Sequence, residues 1–405
     1  MNVPDTETGK TWTKLSLIAG HARRDHDFQF TSLMHLLNVE FLRDCYNSLN
    51  RNRAVGIDEV SWEDYGVNLE KKLEDLVSRI RRRSYKPMPA RRVYIPKNET
   101  EKRPLGIPAL ENKIVERGIT WILESIYEED FLNCSYGFRP ERNCHQALKA
   151  LNDLIMFKPV NHIVEADIVI RNENGTPQGS ILSPMLSNIF LHYVLDVWFE
   201  ETVKTHTNGF CELIRYADDF ICVVRYAEDA RRIEKALKNR LNKYGLEIHP
   251  VKSRVISFGH YEKENADKQN RKPNTFDFLG FTHFCAKSIR GNFKVGRKTS
   301  RKKFTSKCAE MNKWLKSVRN QTKTKEWWKI LQAKLRGHIQ YYGVSENFRH
   351  VRNFCKITVR LAKNWLNRRS QKKKMSWGKY NRYLEKYPLP RPRIVHNFYT
   401  SSPVW

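Results

Sequence analysis

The stretch "CELIRYADDFICVVRY", residues 211–226, reads as two apolar strands folded around a turn. β-branched and aromatic residues run on both sides of the turn, as strands favour. The runs are continuous rather than alternating, which predicts strands buried on both faces. Asp218 and Asp219 sit side by side at the turn. An Asp pair in a turn is ordinary in itself, because Asp is a common turn residue. Here the turn lies against a predicted core. Adjacent carboxylates there repel each other and lose hydration unless a cation sits between them.

A third acid lies upstream in "NHIVEADIVIRNENGTPQGSILSPML", residues 161–186. Its first part reads as a buried strand closing on Asp167. "GTPQGS" reads as a tight turn, and Ser183 and Pro184 mark a helix start. Leu186, Ile189, Phe190, Tyr193, Val194 and Val197 then keep helical spacing. Asp167, Asp218 and Asp219 at neighbouring strand ends are candidate ligands for a pair of Mg²⁺ ions. One ion would activate an attacking hydroxyl and the other would steady a leaving pyrophosphate, which is nucleotidyl-transfer chemistry.

Farther out, residues 30–50 have the spacing of a helix, and so does "NLEKKLEDLVSRIRRRSY". "ARRVYIPK" alternates as a strand, and "KRPLGIPAL" reads as a Pro/Gly-marked connection. Residues 113–127, 144–155 and 227–245 are helical in pattern, and "LEIHPVKSRVISFG" and "TFDFLGFTHF" add strands. The middle of the chain therefore predicts an antiparallel α+β sheet with helices on one face. After about residue 299 the pattern is helical throughout.

At 405 residues the chain suffices for two or three domains. It has no apolar run long enough to span a bilayer and a polar start, so a cytoplasmic protein without membrane association is expected. Eight scattered cysteines with no C-x-x-C pair suggest neither a zinc ribbon nor a disulfide framework. The charge is uneven. Residues 281–405 hold 32 Lys+Arg against 4 acids, almost the whole net charge of +29. A solvated basic face or a membrane-surface helix would account for charge alone. Trp314, Trp327, Trp328, Tyr341, Tyr342, Trp365, Trp377, Tyr380 and Tyr383 are interleaved with it, which fits a nucleic-acid binder better. Most of these rings are still expected in the core.

"RYADDFICVV" resembles the Y-x-D-D motif of reverse transcriptases. "GTPQGSILSPMLSNIFLHYVLD", "RPLGIPALENKIVERG", "SYGFRPERNCHQAL", "GLEIHPVKS", "FDFLGF" and "AVGIDEVSW" are similar to further blocks of group II intron reverse transcriptase/maturases, in that family's order. "QYYGVSENF" and the tail resemble its thumb and maturase region. The resemblance implies a right-hand polymerase of α+β class with a βαββαβ-like palm, followed by an all-α basic thumb. It divides the chain into an N-terminal extension (1–30), fingers and palm (31–284), and thumb and maturase region (285–405). It implies Mg²⁺ on Asp167, Asp218 and Asp219. Lys97 and Arg103 correspond to finger residues that grip the triphosphate of a dNTP, a point charge and a planar fork. Gln178 and Gly179 correspond to the floor of the nucleotide pocket, with Gly175 as a further close-approach glycine. Phe278 to Phe281 correspond to a primer grip or to core. Lys252, Arg368, Arg369, Lys372, Lys373 and Lys374 are candidate nucleic-acid contacts. The implied partners are intron RNA as template, a DNA primer or target, and dNTPs.

One departure is plain. The family continues after the first catalytic Asp with a turn, a helix and a hairpin, several dozen residues in all. Here only Ile168 to Asn174 intervene before Gly175, and no aromatic stands near Arg171, where the family carries a gate against ribonucleotides. Loss of that segment predicts an uncovered apolar patch or a slack pocket. Three readings follow. The chain is an RNA-directed DNA polymerase, an RNA-binding maturase that needs no acids, or a decayed copy of a mobile element that does neither. No zinc module or nuclease block is visible, so target cutting is expected to come from elsewhere.

Overall fold

The computed structural model describes residues 9–96, 102–169, 178–249, 253–369 and 374–399. The chain divides into two compact units, each drawn from several segments. The first takes Met1–Asn143, Val169–Thr205 and Arg240–Glu247; the second takes Cys144–Ile168, His206–Asn239 and Ile248–Trp405. The boundary at 284/285 that the resemblance implies falls inside one strand of the second unit.

The first unit begins with α1 (Gly9–Arg24), α2 (Val39–Ser48), α3 (Trp62–Gly66), α4 (Leu69–Arg81), β1 (Arg91–Pro96), β2 (Lys102–Ile107) and α5 (Leu110–Tyr127). The helix expected over 30–50 is shorter. Asn38 adopts an extended conformation and its side chain accepts from Phe41 N, so α2 starts at Val39. Phe41, Leu42, Leu73, Leu76 and Ile114 from α2, α4 and α5 are no more than 1% exposed and join one core with Leu15 of α1. Each such side chain contributes about 1.5–3 kcal/mol by leaving water.

The segment read as a Pro/Gly connection is a strand. β2 pairs antiparallel with β1, with Pro104 opposite Tyr94 and Arg103 opposite Ile95. In a two-stranded ribbon every strand is an edge, where a missing proline N–H is tolerated.

The chain then runs through α6 (Cys144–Phe157) and β3 (His162–Val169). It returns to the first unit with α7 (Ser183–Leu191), which widens into π-helical turns at His192–Asp196 and Phe199–Val203. Next come β4 (Cys211–Tyr216), β5 (Asp219–Val224), α8 (Ala227–Lys243), β6 (Glu247–Ile248), β7 (Arg254–Ser257) and α9 (Glu262–Lys268), of the second unit except for Arg240–Glu247. β5 lies between β4 and β3, and β7 pairs with the other flank of β3, all antiparallel. Phe220 through Val224 are no more than 2% exposed, as the unbroken apolar run requires.

A second sheet holds β8 (Thr275–Phe278), β9 (Phe281–Lys287) and β10 (Phe293–Thr299) in the order β10-β9-β8. Phe278 and Phe281 face each other across the Leu279-Gly280 turn and are buried, so they are core. Both turn residues have positive φ, 47° and 82°, the signature of a primed two-residue hairpin.

The basic third is helical as expected: α10 (Arg301–Val318), α11 (Thr324–Tyr342), α12 (Phe348–Asn367) and α13 (Trp377–Lys386). Trp327, Trp328, Tyr342, Trp365 and Tyr380 are buried, whereas Trp377 is half exposed. Most of the interleaved rings are therefore core.

Candidate active site and nucleic-acid surface

The β3–β5 register puts Asp167 opposite Asp219, and the β4–β5 register puts Tyr216 opposite Asp219. Asp219 thus opens β5 instead of lying in the turn, which consists of Ala217 and Asp218. Directly opposed antiparallel residues share a sheet face, where like charges destabilise the pair without a counter-ion. Asp218 and Asp219 are open to solvent. Among the described side chains no three metal-ligating groups converge; the Asp167 side chain lies outside that description.

Ala217 has φ 58°, a left-handed conformation that glycine adopts freely. For alanine it costs about 1–2 kcal/mol. Arg215 offsets this. It is fully buried, and its Nη1 donates to the Ala217 carbonyl at 3.1 Å, holding the turn from the core side. Arg215 was missed among the site residues. Its signal was a lone cation inside an apolar strand, which must find acceptors when buried.

In the first unit, α5 organises three loops. Asn112, 5% exposed, accepts from Tyr85 OH (2.9 Å) and Met88 N (3.2 Å) and donates to Met88 O (2.8 Å), fixing the approach to β1. Glu116 accepts from Ile181 N at 2.8 Å, fixing the turn before α7. Lys113, whose pKa burial lowers, donates to Ala54 O at 2.8 Å. Gly56 of the same loop lies so close to α5's cap that a Cβ would stand 2.5 Å from Ala109 Cα. None of these polar groups was singled out in the sequence. The readable signal was a cluster of polar residues, Glu111 to Lys113 with Glu116 and Arg117, at the start of a helix that is largely apolar beyond it.

The predicted nucleotide-pocket residues are partly brought together. Gly106 N of β2 donates to Gln178 O at 2.7 Å. Gly179 has φ 115°, and a Cβ there would stand 2.3 Å from Gly106 O. Only glycine permits this backbone contact. Arg103, on β2, and Gln178 are both exposed. Lys97, Arg171, Gly175 and Lys252 lie outside the described residues, as do Lys372 and Lys373.

On the basic helices, Arg319 and Arg368 each lie 4.9 Å from the Trp365 ring centroid, and Lys363 lies 4.5 Å from that of Trp377. Arg369 donates to Thr324 Oγ1. Lys374 is exposed. Cation–π contacts of this kind hold guanidinium groups at the surface without neutralising them, leaving charge available to phosphate.

Leu186, Phe190 and Tyr193, spaced along one face of α7 and its π-turn, are 37%, 42% and 51% exposed. Such a stripe normally faces a core.

Residues 164–283 match the family model described as reverse transcriptase (RNA-dependent DNA polymerase), a span that includes all three acids. Group II intron-encoded protein LtrA of Lactococcus lactis subsp. cremoris is 24% identical over 467 residues, covering 85% of this chain and 76% of LtrA. That aligned stretch is longer than this whole chain of 405 residues, so the relative carries segments this chain lacks. Protein YkfC of Escherichia coli is 30% identical over 284 residues, covering 51% of this chain and 74% of YkfC. An uncharacterized 91 kDa protein in the cob intron of Schizosaccharomyces pombe is 26% identical over 265 residues, covering 54% of this chain and 32% of that protein. No helix among the described residues is long and apolar enough to cross a membrane. The ordered blocks, the antiparallel sheet carrying the acids and these relatives agree: the chain belongs to the group II intron-encoded reverse transcriptases/maturases, RNA-directed DNA polymerases by family that depend on a divalent metal.

Proposed function

We propose that Asp167, Asp218 and Asp219 are the metal-binding acids of this polymerase and that the metal is Mg²⁺. The observation that carries this reading is the register of Asp167 opposite Asp219, next to the turn that presents Asp218. Carboxylates alone form a hard oxygen donor set, which suits Mg²⁺. When bound, the metal supplies nucleophile activation and charge neutralisation for phosphoryl transfer. Arg215 holds the turn so that Asp218 and Asp219 need little reorganisation. Arg103, Gln178 and Gly179, with Lys97, form the dNTP grip in this reading. Template RNA and primer DNA lie against the basic helices, with Lys252, Arg368, Arg369, Lys372, Lys373 and Lys374 as phosphate contacts.

The test is extension of a DNA primer on an RNA template with Mg²⁺ and dNTPs, with Asp218→Ala run alongside. Template-dependent extension that vanishes in the variant supports the reading. Absence of extension in the unmodified chain, with RNA still bound, favours a second reading: an RNA-binding maturase without polymerisation. The observation that favours that alternative is the short run of sequence between Asp167 and Gly175. A displacement of catalytic groups by about 1 Å costs roughly a hundredfold in rate.

A further inference from the structure

A cavity of about 650 Å³ opens in the second unit at the end of β3 opposite to Asp167. Its walls come from the loop after α6, the exit of β5, the start of α9 and the β9–β10 hairpin. Four cations line it: Lys158, Arg225, Lys263 and Lys287, against one acid, Glu264. Two large rings line it as well, Phe157 at 60% and Tyr261 at 62% exposed. Neither ring contributes its full area to a core. His260 and Phe293 add a second aromatic wall, with ring centroids 4.3 Å apart.

The floor is rigid. Gly259 has φ 141°, and a Cβ there would stand 2.1 Å from Val160 O. Asn161 donates through Nδ2 to Arg225 O at 3.2 Å and through its backbone N to Val224 O at 3.0 Å, and its carbonyl accepts from Phe258 N at 2.8 Å. The lining is thus presented on a fixed frame, which lowers the entropic cost of binding.

We infer that this cavity is a second nucleic-acid site, one that takes single-stranded RNA with phosphates on Lys158, Lys263 and Lys287 and a base stacked on Tyr261 or Phe157. A groove combining cations with accessible rings has the chemistry of a single-strand site, because unstacked bases offer flat faces and the backbone offers charge. A duplex keeps its bases stacked internally and could use only the cations. The strand rise puts Asn161 roughly 20 Å from Asp167. An RNA segment held here is therefore not the stretch being copied. The inference rests on the reading of the chain as an intron-RNA binder and adds where a remote single-stranded segment docks.

The test uses the full chain and a short oligouridylate carrying one 4-thiouridine. Photo-crosslinking and peptide mapping should place the adduct on Phe157 or Tyr261, and Tyr261→Ser should reduce it. A Lys158→Glu/Lys263→Glu variant should bind the same oligonucleotide about tenfold more weakly, with a salt slope smaller by roughly 2. Primer extension on a short template at saturating concentration should be retained by this variant, which tests the polymerase reading separately. The inference is overturned if adducts map only to residues 301–399 and the variant binds as tightly as the unmodified chain. Failure of the unmodified chain to bind the oligonucleotide overturns it too, while binding of structured intron RNA in the same assay keeps the RNA-binding reading standing.

Discussion

Each unit holds a titratable group that loss of hydration keeps uncharged, a carboxyl in the first and an imidazole in the second, so acid acts on the two in opposite senses. The first unit buries a carboxyl. Desolvation pushes Glu124 of α5 up to about 7, with Glu128 adding and Arg117 opposing. The second buries imidazoles in its basic helices. Desolvation, with Lys307 nearby, holds His338 of α11 down at about 4, its ring stacked on Phe354 at 3.6 Å. In both cases burial is the larger cause and the nearby charge the smaller one.

The largest expected effect lies within the second unit, which holds both the acids and the basic helices, and comes from Asp218→Ala. It should take primer extension below detection and leave RNA affinity unchanged by filter binding; a matched loss of both would merge the two activities into one surface. Next in size is Gly179→Ala. The new Cβ meets Gly106 O in a positive-φ conformation, so the first unit should lose about 1–3 kcal/mol. Limited proteolysis should cleave the first unit sooner while sparing the basic helices.

The pH predictions are smaller. The folded state holds the Glu124 proton more tightly than the unfolded chain, whose carboxyl ionises near 4.5. Stability is therefore full below about pH 4.5 and falls as pH rises through about 7. Glu124→Gln should raise Tm at pH 8 and change it little at pH 4.5. His338 runs the other way. Its contribution is present above pH 6.5 and is lost as pH falls through about 4. His338→Phe should flatten the fall in Tm between pH 6.5 and 4, and an unchanged acid slope would assign that slope to other groups.

The strands that carry the acids were legible because their apolar runs were unbroken, and Asp218–Asp219 stood out within them. β2 was not, because Pro104 and Gly106 punctuate it, although its partner β1 is the strand just before it. The start of α2 was hidden inside an apolar stretch, where Asn38 acts through a single side-chain acceptor. Asn112, Lys113 and Glu116 escaped notice because their roles lie in backbone groups distant in sequence, Met88, Ala54 and Ile181. No local pattern encodes such contacts. The burial of Arg215 is of the same kind: its residue type argues for the surface, and only the turn it supports explains it.

The main-chain contact between Gly106 and the Gln178–Gly179 turn, together with Glu116 on Ile181, has an evolutionary consequence. The turn is moored by β2 and α5, elements far earlier in the chain than the residues that lead directly into it. Upstream sequence is then free to change in length, since the docking point keeps its own address. A change of length in the residues just ahead of Gln178 should therefore leave the Gly106 and Glu116 contacts in place.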